Sequence, residues 1–170
     1  MSRPGRTPSQ TIGPFFGFAL DWMAERDLVP AGHPGRVVVS GRVLDGDDQP
    51  VPDAVIEIWQ AAGIDPPSGW SGFGRYLTDV DGRYRFATAK PADPRHQAPH
   101  IEVSVFARGL LQRLATRIYF PDELNANRSD PLLRLVPAVR RDTLIASDDG
   151  AVLHFDIRLQ GPHETVFLAY

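Results

Sequence analysis

An all-β sandwich is the fold class this sequence predicts, on three observations. From Arg36 onward, apolar residues recur at every second position in short runs, the spacing that places alternate side chains on one face of a strand. Gly and Pro, 15 and 16 of the 170 residues, interrupt those runs at short intervals, as turns do. Little of the chain carries apolar residues at helical spacing. Seven or so short strands of this kind need two packed sheets to bury their apolar faces. The predicted architecture is a single domain, with an extended N-terminal arm over residues 1–35, a sandwich over residues 36–170 and one short helix.

The elements follow in order. The arm is rich in Pro and Gly, with one helical turn expected near Asp21–Arg26. Ile12, Phe15, Phe16, Phe18 and Trp22 make it too apolar to be left in water, so it should pack on the sandwich or on a neighbouring chain. Val37–Leu44 reads as a strand ended by the turn Asp45-Gly46-Asp47-Asp48. Ala54–Gln60 is the second strand, with Ile56, Ile58 and Gln60 on one face and Val55, Glu57 and Trp59 on the other. Ala61–Gly74 is a Gly/Pro-rich loop. Arg75–Thr78 and Arg83–Thr88 flank Asp79-Val80-Asp81-Gly82, which reads as a hairpin turn. Lys90–Pro99 holds three prolines and is a loop. His100–Ala107 and Arg113–Phe120 are strands joined across Arg108-Gly109. Asn125–Pro137 reads as irregular. Pro137–Ser147 carries Val139, Leu144 and Ile145 at helical spacing and is the one short helix. Val152–Gln160 and Thr165–Leu168 complete the strands.

A formal net charge of -3 without a basic block argues against nucleic acid or an anionic membrane as partner. No apolar run is long enough to span a bilayer. The first ten residues lack the apolar stretch of a signal peptide, so the cytoplasm is the expected compartment. The chain has no cysteine. Any metal would therefore need nitrogen and oxygen ligands.

His100 and Glu102 stand two residues apart at the start of a strand, so they face the same way. His154 lies on another strand and His96 in the preceding loop. Two histidines and a carboxylate suit non-haem iron, although on spacing alone a His-x-Glu pair is more often an ordinary hydrogen-bonded pair. There is no nucleophile elbow around any serine. The Gly-rich stretch Gly69–Gly74 lies between strands and opens no helix, so it reads as a tight loop rather than a phosphate cradle.

Seven segments, taken together in order and spacing, point further. They are TPSQTIGPFF at Thr7–Phe16, EIWQA at Glu57–Ala61, GRYLTDVDGRYRFAT at Gly74–Thr88, APHIEVSVFARGL at Ala98–Leu110, TRIYFPDE at Thr116–Glu123, RRDTLIA at Arg140–Ala146, and FDIRLQG with ETVF between Phe155 and Phe167. Through them the chain resembles the intradiol ring-cleavage dioxygenases over nearly its whole length. That resemblance implies a ferric ion held by two tyrosines and two histidines, and O2-dependent cleavage of a catechol between its two hydroxyl-bearing carbons.

Against the family pattern, three of four ligand positions differ. The family's His-x-His begins here at His100, but its second position is Glu102. No tyrosine occurs between Trp59 and Tyr76 or between Lys90 and His100, where the family places its tyrosinates. Tyr76, Tyr84 and Tyr119 lie within strands and read as core or face aromatics. The resemblance therefore implies a chain without metal and with no catalytic residue of its own, in which His100 and Glu102 mark a vestigial pocket. Should the two pair, the carboxylate would raise the histidine's pKa.

The resemblance further implies a homologous iron-bearing partner, the beta subunit of a higher alpha-beta oligomer, with Fe(III) held in that partner. This chain would complete the wall of the partner's site through Thr11, Gly13, Pro14 and Arg108. Gly13 would admit close backbone approach, Pro14 would stiffen the arm, and Thr11 would offer a hydroxyl. Arg108 would neutralise the carboxylate of a carboxylated catechol. Two other readings remain. One is a non-catalytic β-sandwich spacer module, suggested by Val39–Thr88; the other is a self-sufficient dioxygenase with unusual ligands.

Overall fold

A computed structural model describes residues 5–13, 15–20, 26–63, 65–92 and 97–169. Two sheets face each other. The first has the order β4-β1-β8-β7, with β9 also pairing β1; the second has the order β3-β2-β5-β6. In chain order the strands are β1 (Arg36–Leu44), β2 (Val55–Trp59), β3 (Phe73–Leu77), β4 (Arg83–Ala89), β5 (His100–Phe106), β6 (Leu114–Tyr119), β7 (Ser147–Asp148), β8 (Leu153–His154) and β9 (Ile157–Arg158). Alternation does what it predicts. Val39, Val43, Tyr84 and Phe86 of one sheet meet Ile56, Ile58, Val103 and Val105 of the other in one buried cluster.

Several local expectations are corrected. Asp79-Val80-Asp81-Gly82 does form a tight turn, with Asp79 Oδ1 accepting from the amides of Asp81 and Arg83. It is not a hairpin turn, however. β3 pairs with β2 and β4 with β1, so the chain crosses between sheets there. Tyr76 and Phe86 then meet edge-on at 5.9 Å across the interior. A turn sequence specifies the reversal but not the pairing partner; the seven-residue register with β1 decides that.

Val152–Gln160 is broken into β8 and β9 rather than continuous. The break sits where Phe155 passes Gly41. A Cβ on Gly41 would lie 1.8 Å from the Phe155 carbonyl oxygen, so only glycine admits that approach. The buried Tyr84 hydroxyl donates to the same carbonyl. Thr165–Leu168 forms no strand. It runs extended along β6, with Leu168 N donating to Ala115 O at 2.8 Å and Thr116 Oγ1 to Val166 O at 2.8 Å.

Helix is also more frequent than expected. Asn125–Pro137 is not irregular but holds α2 (Leu124–Ser129) and α3 (Pro131–Leu135), and Ala138–Leu144 is a 3-10 helix. α3 starts as helices do, with Asp130 as N-cap and Pro131 at the first turn. In the arm, α1 (Phe16–Leu20) sets Gly17 against Leu77. The turn expected at Asp21–Arg26 lies almost wholly outside the described residues. From Arg26 the chain follows β4, with Leu28 N bonded to Ala87 O and Ala87 N to Arg26 O. Among the described residues no helix is long and apolar enough to cross a membrane.

Candidate functional site

The residues marked by sequence divide between the two ends of β5. Its seven residues rise about 3.3 Å each, which separates the ends by roughly 20 Å.

At the first end, His100 is buried, and its Nδ1 donates to Ala98 O at 2.8 Å. A carbonyl only accepts, so this bond leaves the neutral ring's lone pair on Nε2. That edge lines an open depression of about 340 Å³, together with Trp59, Gln60, Ala61, Gln97, Glu102 and Arg117. Glu102 shares the face as expected. Its Oε1 lies 4.0 Å from Nε2, beyond hydrogen-bond reach. Glu102 instead accepts from Arg117 Nη2 at 3.1 Å. Arg117 Nη1 donates to Gln97 Oε1 at 2.9 Å. Burial lowers the His100 pKa, and the Arg117 charge adds to it, outweighing Glu102. The condition for an upward shift, a His100–Glu102 pair, is not met: the carboxylate serves the arginine, and the imidazole stays neutral at pH 7.

Asp130 holds this end together. It is 1% exposed. Its Oδ2 accepts from Ala98 N at 2.9 Å. Its Oδ1 accepts from the Tyr119 hydroxyl at 3.1 Å and from Leu132 N and Leu133 N at 2.9 and 3.0 Å. Burial pushes the Tyr119 phenol well above its ordinary pKa, so it remains a protonated donor. Tyr84 is likewise buried and raised. Both behave as the core aromatics that the sequence suggests.

These residues do not fit a ferric ion. Fe(III) needs several anionic oxygens and neutral nitrogens free to coordinate. The depression presents one imidazole nitrogen and one carboxylate already committed to a guanidinium. The Arg117 cation itself stands among them. Among the described residues no group of three or more His, Cys, Asp or Glu gathers as a metal site. His154 lies on the other sheet, with Nε2 2.8 Å from Asp149 Oδ2; that contact holds the Asp149 carboxyl down at about 2. His96 lies outside the described residues.

At the other end, Arg108 leads into the turn at Gly109, whose φ is +89°. Its Nε and Nη2 reach Asp53 Oδ1 and Oδ2 at 3.2 and 3.0 Å. Gly109 N donates to Thr11 Oγ1 at 2.8 Å. Two of the predicted wall segments, the arm and the FARGL turn, are therefore adjacent. A Cβ on Gly13 would meet nothing within 4 Å, so that stretch of backbone faces open space. Pro14 lies outside the described residues. Phe15 is 77% exposed, whereas Gly17 is buried; the side chains of Phe18 and Trp22 lie outside the described residues.

Sequence reasoning missed Arg117, Gln97, Asp130 and Asp53. Arg117 was within reach. Glu102 and Arg117 are cross-strand partners, placed symmetrically about the turn at Gly109 and Leu110, and opposite charges favour that pairing. Asp130-Pro131 carried a legible cap signal. Asp53 carried none.

A family model described as Dioxygenase matches residues 19–161. The chain belongs to the intradiol dioxygenase family. Within the family it is similar to the protocatechuate 3,4-dioxygenase alpha chain of Burkholderia cepacia, 40% identical over 95% of this chain and 96% of that one. The protocatechuate 3,4-dioxygenase beta chain of the same organism is 35% identical, covering 92% of this chain and 77% of its own length. Among solved structures, the dioxygenase domain of a dioxygenase carbohydrate-binding protein fusion from Streptomyces sp. SirexAA-E superposes with a TM-score of 0.60 at 24% identity, covering 93% of this chain and 97% of that one. That likeness is one of fold.

Proposed function

We propose that this chain is the iron-free, alpha-type subunit of a protocatechuate 3,4-dioxygenase. It pairs with a homologous beta-type chain that holds Fe(III), and together they cleave protocatechuate with O2 to 3-carboxy-cis,cis-muconate. The observation that carries this reading is the Arg117 cation bound to Glu102 and Gln97 beside His100, in a chain similar over nearly its full length to alpha chains. A guanidinium in that place supplies positive charge without a metal. The contribution of this chain is then binding and shape. Arg108 presents a cation to the substrate carboxylate. Thr11 fixes the arm against the 108–109 turn. The open backbone at Gly13 leaves room for the ligand or the partner.

The test is to measure iron and protocatechuate cleavage for the chain alone, and again after assembly with its beta-type partner. The expected result is no stoichiometric iron alone, with activity only in the mixture. Iron and turnover in the isolated chain would overturn the assignment.

A further inference from the structure

The end of β5 that carries Arg108 contains a carboxylate to which neither the sequence nor the family resemblance assigns any role. Asp53 sits in the turn between β1 and β2, 55 residues away in sequence. Its backbone has φ +55°, a conformation that costs most residues about 1 kcal/mol or more and that Asp and Asn tolerate best. The turn is pinned from beneath. Buried Thr78 accepts from Ala54 N at 2.8 Å and donates to Val51 O at 2.9 Å through one hydroxyl, and its amide donates to Ala54 O at 2.8 Å. The carboxylate of Asp53 is thus held on a rigid support, aimed at Arg108.

We infer that Asp53 is the positioning residue for Arg108, fixing its guanidinium so that the outward fork is presented to the substrate carboxylate at the subunit wall. This rests on the reading of Arg108 as part of that wall. A guanidinium has five N–H donors. Asp53 takes the side edge, Nε and Nη2. The end fork, formed by one hydrogen of Nη1 and the second hydrogen of Nη2, has no carboxylate partner among the described residues and can take a second carboxylate in bidentate geometry. Asp53 and the substrate therefore use different edges and do not compete. Arg108 is about half exposed, and an arginine left unheld samples many rotamers. Ordering one such side chain on binding weakens affinity by about twofold to about tenfold. Repulsion between Asp53 and a carboxylate across the guanidinium, screened through solvent, changes affinity by less than about threefold. Positioning outweighs it.

The experiment uses the assembled enzyme with its iron-bearing partner. Steady-state kinetics would be run on protocatechuate, with catechol, which lacks the carboxylate, as the second probe. Asp53→Asn removes the charge yet tolerates positive φ. Asp53→Gly takes positive φ freely, so it guards against a folding defect. Both are expected to raise the KM for protocatechuate by about threefold to about tenfold, with kcat and the affinity for catechol unchanged. In an Arg108→Ala background, Asp53→Asn should add nothing, the signature of residues acting through one another. A protocatechuate KM that is unchanged or lower in both Asp53 variants, while Arg108→Ala raises it, overturns the role of Asp53 and leaves the wall intact. If Arg108→Ala itself leaves that KM unchanged, the wall reading fails first and the inference falls with it.

Discussion

The two ends of β5 solve opposite problems with the same kinds of residue. At the His100 end the buried Arg117 and Asp130 find partners within the chain, while the Glu102 carboxylate stays half exposed. Arg117 meets Glu102 and Gln97, and Asp130 takes four donors while buried. At the Arg108 end the guanidinium paired with Asp53 is half exposed, the turn amide of Gly109 donates to the Thr11 hydroxyl of the arm, and Phe15 keeps much of its surface exposed. A buried, hydrogen-bonded group such as Asp130 contributes to holding the fold. A half-exposed arginine in a surface ion pair contributes little to stability and is suited to contact something outside the chain. The strand thus has a structural end and an outward-facing end, and variants should separate them.

The largest effect belongs to Asp130→Ala. It removes one buried carboxylate and leaves Ala98 N, the Tyr119 hydroxyl, Leu132 N and Leu133 N without their acceptor. The expected loss is about 3 to 5 kcal/mol of unfolding free energy, read as a fall in the urea midpoint at unchanged slope. A loss under about 1 kcal/mol would mean that packing of Tyr119 and Leu133 holds this end, not the carboxylate.

Arg108→Ala should show the reverse pattern. An exposed ion pair is worth roughly 0 to 1 kcal/mol, so the midpoint should barely move. In the assembled enzyme the same variant should raise the protocatechuate KM by at least about tenfold, the value of one charge-assisted contact. A large stability loss with no change in KM would erase the contrast between the ends.

The sandwich was legible because period-two burial is a local signal, and Ile56, Ile58, Val103 and Val105 each obey it. The departures from the ligand pattern that the resemblance implies are a matter of residue identity, at Glu102 and in two loops, and need no structure to be seen. What could not be read was partnership across the chain. Asp79–Gly82 has the chemistry of a hairpin yet joins two sheets, because β4 finds its register on β1. Whether His100 pairs with Glu102 is not decided by their spacing. Its environment is set by burial and by Arg117, fifteen residues beyond Glu102 across a hairpin. Asp53 and Arg108 meet only because the starts of β2 and the end of β5 lie side by side, and no single segment records that.

The smallest effect is a pH dependence at the structural end. The folded chain holds His100 below its ordinary value of 6.5, mainly through burial. Near that pH the unfolded chain therefore binds more protons at this site than the folded one, and acid favours unfolding. The site's penalty is absent well above 6.5, grows as pH falls through that value, and levels off below the depressed folded value. His100→Gln should flatten the fall in denaturation midpoint between about pH 7 and about pH 5. With a folded value of about 2 against 3.8, Asp149 adds stability above its unfolded value and loses it only as pH falls toward 2. If His100→Gln left the limb near neutrality unchanged, the imidazole would be as solvated in the folded chain as in the unfolded one, and burial would not govern its charge.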